Sequence, residues 1–460
     1  MVSFYVYDIA FLVVFTIFIT WFLSTHKKGL SREGAIFMYR TQVGVKAINY
    51  VGKKFKKTLQ FLKYIIITVG FALMGIMMWM LGQTVVTYIA HPEITEAIKA
   101  PPIAPLIPYF PKLFGMESIF PPFYFTYFIL ALAVVAISHE FSHGIYMKLF
   151  KVKIKSTGFI FLGPILGAFV EEQKSGFYKK KNSEQMAILG AGVFANVVMA
   201  ILFYIIYVLF FAVSFTPSGA LFNTYGLASI PLESITSFSQ ADNNLTLVQT
   251  ATASYYLDEN LKSQLEMSGL DFLVVYHKAP AIELQMEGAI IQAENVRIKS
   301  QDDLVQFLKS TEPGDTIKII TETDDGYNEY YPTLTENPSN SSKGYLGIGY
   351  SITASDGIIR EVLTGLMSFK EVGTYYKTTW DGDTVYFIYY LLWWIMVINL
   401  LVALFNMMPL GMLDGGRFFY LTILSITRSE KISKAAYKFA TYAIALMFIL
   451  LMFFWFIRIF

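Results

Sequence analysis

Long apolar runs separated by short polar segments dominate the hydrophobic pattern of this chain. Each run can form a helix that crosses a hydrocarbon core of about 30 Å, which takes about 20 residues. The predicted spans are residues 4–24, 64–90, 122–147, 186–215, 384–426 and 439–457. The fifth run is too long for one simple helix, and Asn406 and Pro409 interrupt it, so we expect a break there. The pattern predicts a polytopic α-helical membrane protein with about six transmembrane helices.

A shorter apolar segment, residues 157–170, lies between the third and fourth runs. Its length of about 14 residues is too short for a helical crossing, and three glycines and a proline disfavour a helix. We expect a re-entrant pair of strands here. Residues 91–122 hold eight of the sixteen prolines and are expected to form an external, irregular loop.

The charged residues are unevenly distributed along the chain. Residues 26–63 contain ten Lys or Arg against one acidic residue, whereas 216–383 contain 10 basic and 23 acidic residues, a net charge of −13. Basic loops mark the cytoplasmic side. The expected organisation is therefore an N-terminal transmembrane hairpin with a basic cytoplasmic loop (1–90), the external loop (91–122), a first membrane core half (123–215), an external acidic region (216–383) and a second core half (384–460).

The overall composition excludes several classes of protein. With 55% hydrophobic and 15% charged residues, the chain is unlike a soluble enzyme, of which about a quarter is charged. Its net charge of +2 gives no indication of a nucleic-acid partner, and the lipid bilayer is the expected surroundings. Because the chain has no cysteine, any metal must be bound by His, Asp or Glu.

The third apolar run contains the sequence His139-Glu140-Phe141-Ser142-His143, an HExxH motif. On a helix the two histidines lie one turn apart on the same face and can bind one metal, while Glu140 can activate a water. The alternative is a His–Glu–His group whose members satisfy each other within a helix bundle. Ionisable groups are costly inside a bilayer and usually serve a function there, so we favour a metal site.

A catalytic zinc site uses three protein ligands and keeps one position open. Between Asp383 and Glu430 the only acidic residue is Asp414, in the sequence Leu413-Asp414-Gly415-Gly416. Apart from Glu140 of the motif, the remaining acid within a predicted span is Asp8, which lies near the expected external end of the first run, at the wrong depth. His143 and Asp414 both precede basic loops, so both are expected in the cytoplasmic half of the membrane.

HExxH in one span and NxxPxxxLDG in a later one resemble the site-2 protease family of intramembrane zinc metalloproteases. The resemblance covers nearly the whole chain. It implies one zinc ion bound by His139, His143 and Asp414, with Glu140 as the general base. Family members often have NPxP before LDG, and here Met407 and Met408 separate Asn406 from Pro409.

Two asparagines are further candidates. Gly190-Ala191-Gly192-Val193-Phe194-Ala195-Asn196 is similar to another element of the family, in which the asparagine lies near the site. Asn196 and Asn406 are therefore expected to bind the substrate backbone or the developing oxyanion. Small residues at this spacing also let helices pack closely, so packing alone is the alternative interpretation of this element.

Residues 288–319 of the acidic region resemble the second half of a PDZ domain, within a PDZ-like domain at about 265–350. They predict a strand, a turn at Glu294-Asn295, a helix over 301–309, a turn at Pro313-Gly314 and a second strand. Residues 344–348 fit a closing strand, and 269–276 a peptide-binding edge. Such domains bind extended peptides by strand addition; a steric gate without a ligand is the alternative.

Together these features predict a membrane-embedded zinc endopeptidase that cleaves transmembrane segments of other proteins near the cytoplasmic face. The segment must be locally unwound first, and the strand pair is expected to hold the unwound stretch by edge pairing. The alternative is an inactive metal-binding membrane scaffold or regulator of the same fold. A zinc transporter fits less well, because the sequence offers one ligand set and no relay of membrane acids. A prenyl-protein metalloprotease would not account for the LDG element or the PDZ-like domain.

Overall fold

The structure is a computed structural model that describes residues 4–27, 29–90, 101–102, 106–117, 120–173, 176–241, 245–258, 272–323, 325–350 and 365–459. The chain divides into two compact units. The membrane unit consists of Met1–Phe210 and Asp383–Phe460, and the sheet unit consists of Phe211–Gly382.

Six helices of the described chain are long and apolar enough to cross a membrane, as the hydrophobic pattern predicts, and the protein is a multi-pass membrane protein. Numbered here as spans 1 to 6, they are Phe4–Thr25, Lys56–Ala90, Phe125–Leu149, Asn182–Ser214, Gly382–Asn406 and Glu430–Ile459. Span 6 begins nine residues before its predicted start, because a basic segment of good helix formers precedes its apolar part.

A four-stranded antiparallel sheet belongs to the membrane unit. Its strands, in spatial order, are β1 (Leu30–Glu33), β2 (Ile36–Thr41), β3 (Ile154–Leu162) and β4 (Ile165–Glu172). Strands β3 and β4 occupy the segment where a strand pair was expected. Among the strands of the described residues, β4 pairs with β3 alone, so its other side is a sheet edge there.

The basic segment 26–63 differs from the expected loop. It contains the hairpin β1–β2, and β2 pairs with β3, followed by the helix Val43–Lys54. Ile48 of this helix is fully buried and lies against Gly144 of span 3, where a Cβ would stand only 2.6 Å from Ile48 Cδ1. Burying an isoleucine contributes about 1.5–3 kcal/mol. The charge pattern conceals this packing, since only one face of the helix is apolar.

Span 5 ends at Asn406, and a second helix, Asp414–Thr427, begins after a turn, as the positions of Asn406 and Pro409 predict. Of the proline-rich segment, residues 91–100, 103–105 and 118–119 lie outside the described residues. The part that is described includes the short helix Phe110–Leu113.

The sheet unit contains two larger sheets. In the six-stranded one, the strands Ala289–Ala293 and Ile319–Thr323 pair antiparallel, and the helix Gln301–Leu308 buries Leu304 in the same core as Ile290. The strand, turn, helix and strand over 289–323 follow the predicted order. The same sheet also includes Phe215–Leu221 and Thr374–Thr378, which lie beyond the expected limits of 265–350.

Two expectations for this unit are wrong. Phe272–His277, proposed as a peptide-binding edge, is an inner strand of the separate five-stranded sheet, between Leu227–Pro231 and Ser254–Asp258; residues 269–271 lie outside the described part. The predicted closing strand is divided into Asn340–Tyr345 and Ile348–Gly349. The division falls at Gly347, whose φ of +83° leaves the extended region.

Candidate metal centre

The histidines of the HExxH motif lie on one face of span 3. His139 and His143 are both buried, with 8% and 7% of their surface exposed. Their Nε2 atoms are 2.9 Å apart, which follows from the spacing of four residues on a helix. The two imidazoles therefore offer two metal-binding nitrogens at one point.

Asp414 is brought to the same point from 275 residues further along the chain. Its Oδ2 lies 3.2 Å from His139 Nε2 and 3.3 Å from His143 Nε2. Asp414 is the first residue of its helix, and the two glycines after it allow the turn, because a Cβ on Gly415 or Gly416 would collide with the backbone of Met407 or Leu410.

The three atoms fit the geometry of a zinc ion. Tetrahedral zinc with bonds of about 2.0–2.1 Å holds its ligand atoms about 3.3 Å apart. The separations of 2.9, 3.2 and 3.3 Å between the two nitrogens and the carboxylate oxygen are close to that value. Two imidazoles and one carboxylate are also the donor set of several catalytic zinc sites, in which a fourth position stays open.

The outer nitrogens of both imidazoles have partners. His143 Nδ1 lies 2.6 Å from the carbonyl oxygen of Ile188, so Nδ1–H donates there and Nε2 is left for a metal. His139 Nδ1 lies 3.1 Å from the side-chain amide of Asn196, which is fully buried and also contacts Ser138 Oγ. Such partners fix the orientation of metal-binding histidines.

Glu140 lies between the histidines and the sheet. One of its carboxylate oxygens is within 4.8 Å of a ring nitrogen of each histidine. Its Oε2 accepts a hydrogen bond of 3.0 Å from the backbone N–H of Val170 in β4. The arrangement therefore combines three atoms that could bind a metal with a carboxylate that could exchange a proton with a nearby water.

Span 4 approaches the histidines closely at Gly192. A Cβ at this position would stand 2.7 Å from His139 Nε2 and still closer to His143 Nε2. The glycine therefore leaves room for the two imidazoles, and a larger residue would displace them.

A sequence comparison bears on this geometry. Residues 127–452 match peptidase family M50, a stretch that includes both histidines, Glu140 and Asp414. The chain belongs to this family. M50 is the site-2 protease family of zinc-dependent metalloproteases, which agrees with the resemblance of the HExxH and LDG elements.

One curated relative in the comparison is an uncharacterized protein of Methanocaldococcus jannaschii. It is 28% identical over 292 residues, which are 62% of this chain and 54% of the relative. The chain thus spans about half the length of the curated relative it matches. The relative's name assigns no activity, so the similarity adds no information about the reaction.

The structure brings four of the predicted residues together at one point: His139, Glu140, His143 and Asp414. Asn196 lies beside them, in contact with the ring of His139. Asn406 ends span 5 and is partly exposed, and among the described residues its side chain forms no hydrogen bond with the others. Its substrate role stays a prediction.

The sequence reasoning missed three groups at this site: the carbonyl of Ile188, the backbone amide of Val170 and the space provided by Gly192. The first two are main-chain groups: every residue carries a carbonyl and every residue except proline an N–H, so no side-chain pattern reveals them. Gly192 was noted only as a packing residue, and the sequence does not indicate which neighbour it faces.

Proposed function

We propose that this protein is an intramembrane zinc endopeptidase that cleaves transmembrane segments of other membrane proteins. The observation that supports it best is the convergence of His139, His143 and Asp414 within 3.3 Å of one another. Membership of M50 supports the same chemistry at the level of the family.

In the proposed hydrolysis, the metal and Glu140 have separate roles. When bound, zinc would act as a Lewis acid toward the scissile carbonyl and the attacking water. Glu140 accepts a proton from that water and later donates it to the leaving amine nitrogen. Because peptide bonds in a helix are shielded by their hydrogen bonds, the substrate must be extended before Glu140 can act on it.

Strand β4 is a suitable surface for an extended substrate. The Val170 N–H points away from β3, toward Glu140, and alternate residues of a strand share an orientation. In the register of β3 with β4, the amides of Leu166 and Ala168 therefore also point away from β3, toward the edge that pairs with no other described strand. An added strand can pair there by main-chain hydrogen bonds.

We propose that Asn196 orients the ring of His139. A zinc bound to His139 Nε2 requires the proton on Nδ1, and the carboxamide of Asn196 can then turn its oxygen to this proton and its NH2 group to Ser138 Oγ. The oxyanion role expected from the sequence is the alternative. The PDZ-like domain stays a prediction, with peptide binding and steric gating as its two candidate roles.

The test is cleavage of a labelled transmembrane substrate by purified protein, with bound zinc quantified. Glu140→Gln should abolish cleavage and retain about one zinc per chain. The control is Glu184→Gln, because Glu184 lies at the start of span 4 and accepts a hydrogen bond from Lys181 N–H. This variant should retain both cleavage and bound zinc. Zinc in the wild type without cleavage of any transmembrane substrate would instead favour the metal-binding scaffold. Cleavage by Glu140→Gln at the wild-type rate would reject Glu140 as the base.

A further inference from the structure

A hydrogen bond joins Glu140 of span 3 to strand β4 of the four-stranded sheet, and neither metal binding nor pairing of the sheet strands requires it. The Glu140 Oε2 atom accepts the N–H of Val170 at 3.0 Å, and both residues are half-buried. A hydrogen bond from an amide to a carboxylate is stronger than one between neutral groups. It therefore fixes the carboxylate of a side chain that has three rotatable bonds.

The hydrogen bond from Val170 restrains a carboxylate that lies beside the predicted metal ligands, so it bears on the proton transfer proposed for Glu140. Glu140 is flanked by two metal ligands, and one carboxylate oxygen is within 4.8 Å of both rings. With Oε2 held by the strand, Oε1 is the oxygen that can accept a proton from the attacking water. A general base must be within hydrogen-bonding reach of the proton it abstracts, and a displacement of 1 Å is enough to impair the reaction.

The same contact changes what the edge of β4 can offer a substrate. The Val170 N–H is already used, whereas no side chain of the described residues accepts from the outward amides of Leu166 and Ala168. Strand pairing with a substrate is therefore expected to use Leu166 and Ala168 and to stop before Val170. The outward amides of Ala168 and Val170 therefore have different roles: the first is expected to pair with a substrate and the second holds Glu140.

We propose that the backbone amide of Val170 is a positioning group for Glu140, distinct from the substrate-pairing amides of β4. The inference rests on the proposed function, since it assigns Glu140 the role of general base. Loss of the Val170 amide should lower the rate of the chemical step, and loss of the Ala168 amide should weaken substrate binding.

Proline substitutions separate these tasks, because proline removes the N–H and is tolerated on the free side of an edge strand. For Val170→Pro, compared with Val170→Ala, which keeps the amide, we expect kcat to fall about tenfold or more with KM nearly constant. For Ala168→Pro, compared with Ala168→Val, we expect KM to rise several-fold with kcat nearly constant. A rise in KM alone for both prolines would overturn the proposal.

A second measurement does not depend on the folding of the Val170→Pro protein. Hydrogen–deuterium exchange at the Val170 amide should be about tenfold or more faster in Glu140→Ala than in the wild type, with exchange at Ala168 unchanged. Equal exchange rates of the Val170 amide in the two proteins would show that Glu140 does not hold this amide and would overturn the proposal. If the wild type cleaves no substrate, the proposed function fails while the exchange result still decides whether Val170 restrains Glu140.

Discussion

The carboxylate of Asp8 caps the helix that carries the HExxH motif: its Oδ1 accepts hydrogen bonds from Thr126 N at 2.9 Å and Thr126 Oγ1 at 2.6 Å. Its Oδ2 accepts from Phe125 N and the Tyr109 hydroxyl, both at 2.7 Å. Span 3 has no cap from its own Tyr124. An acid of span 1, 1% exposed, therefore satisfies the first amides of span 3.

Replacing Asp8 with Leu should destabilise the protein by on the order of 3 kcal/mol, because it leaves buried amides and a hydroxyl without an acceptor. Asp8→Asn keeps one acceptor oxygen and should cost less. Denaturant unfolding in detergent micelles measures both. If Asp8→Leu unfolds at the wild-type midpoint, the cap contributes nothing to stability.

Gly192→Ala should reduce zinc binding strongly, because the added methyl group would stand 2.7 Å from His139 Nε2. Gly190→Ala is the matched control: its Cβ would meet Ile66, away from both imidazoles. Zinc titration of the two purified variants checks this. Equal zinc affinity in the two variants would contradict the assigned role of Gly192.

Asn196→Leu should weaken zinc binding by about 10–100-fold, the usual effect of losing a partner that orients a ligand. At saturating zinc, turnover should largely recover. The oxyanion alternative predicts the opposite: turnover falls while zinc affinity stays unchanged. Measuring zinc affinity and turnover on the same preparations therefore decides between the two roles.

Acid should weaken the four-stranded sheet through Glu171. Hydrogen bonds from Lys155, Ser156 and Arg40 lower the pKa of Glu171 from 4.5 to about 2. Because the folded-state pKa is the lower one, this stabilisation is present above pH 4.5 and is lost as the pH falls toward 2. Glu171 is partly exposed, so the effect is modest.

Glu171→Gln removes this titration. The Tm difference between wild type and Glu171→Gln, measured on zinc-free protein, should narrow as the pH falls from about 4.5 to about 2. Working without zinc avoids the loss of bound metal that protonation of its ligands would cause. A difference that stays constant over this range would show that Glu171 does not contribute to the acid sensitivity.

The sequence by itself determined the six spans and the break after Asn406, and it singled out the residues predicted to bind a metal. A span is a matter of local length and apolarity, because the bilayer demands about 20 apolar residues of each helix. His139 and His143 are related by one helical turn, which their spacing fixes. Within the fifth and sixth apolar runs, Asp414 stood out because carboxylates are rare in such segments.

Only the tertiary structure decided which distant groups meet. The charge pattern predicts a basic loop where the helix Val43–Lys54 lies, because the packing of this helix on Gly144 leaves no trace in that pattern. The prediction of a peptide-binding edge at 269–276 is wrong, because strand alternation identifies a buried face and does not name the neighbouring strands. The Asp8 cap and the contact from Val170 to Glu140 rest on backbone amides, which are the same in every residue except proline. Their partners are therefore fixed by the packing of the chain.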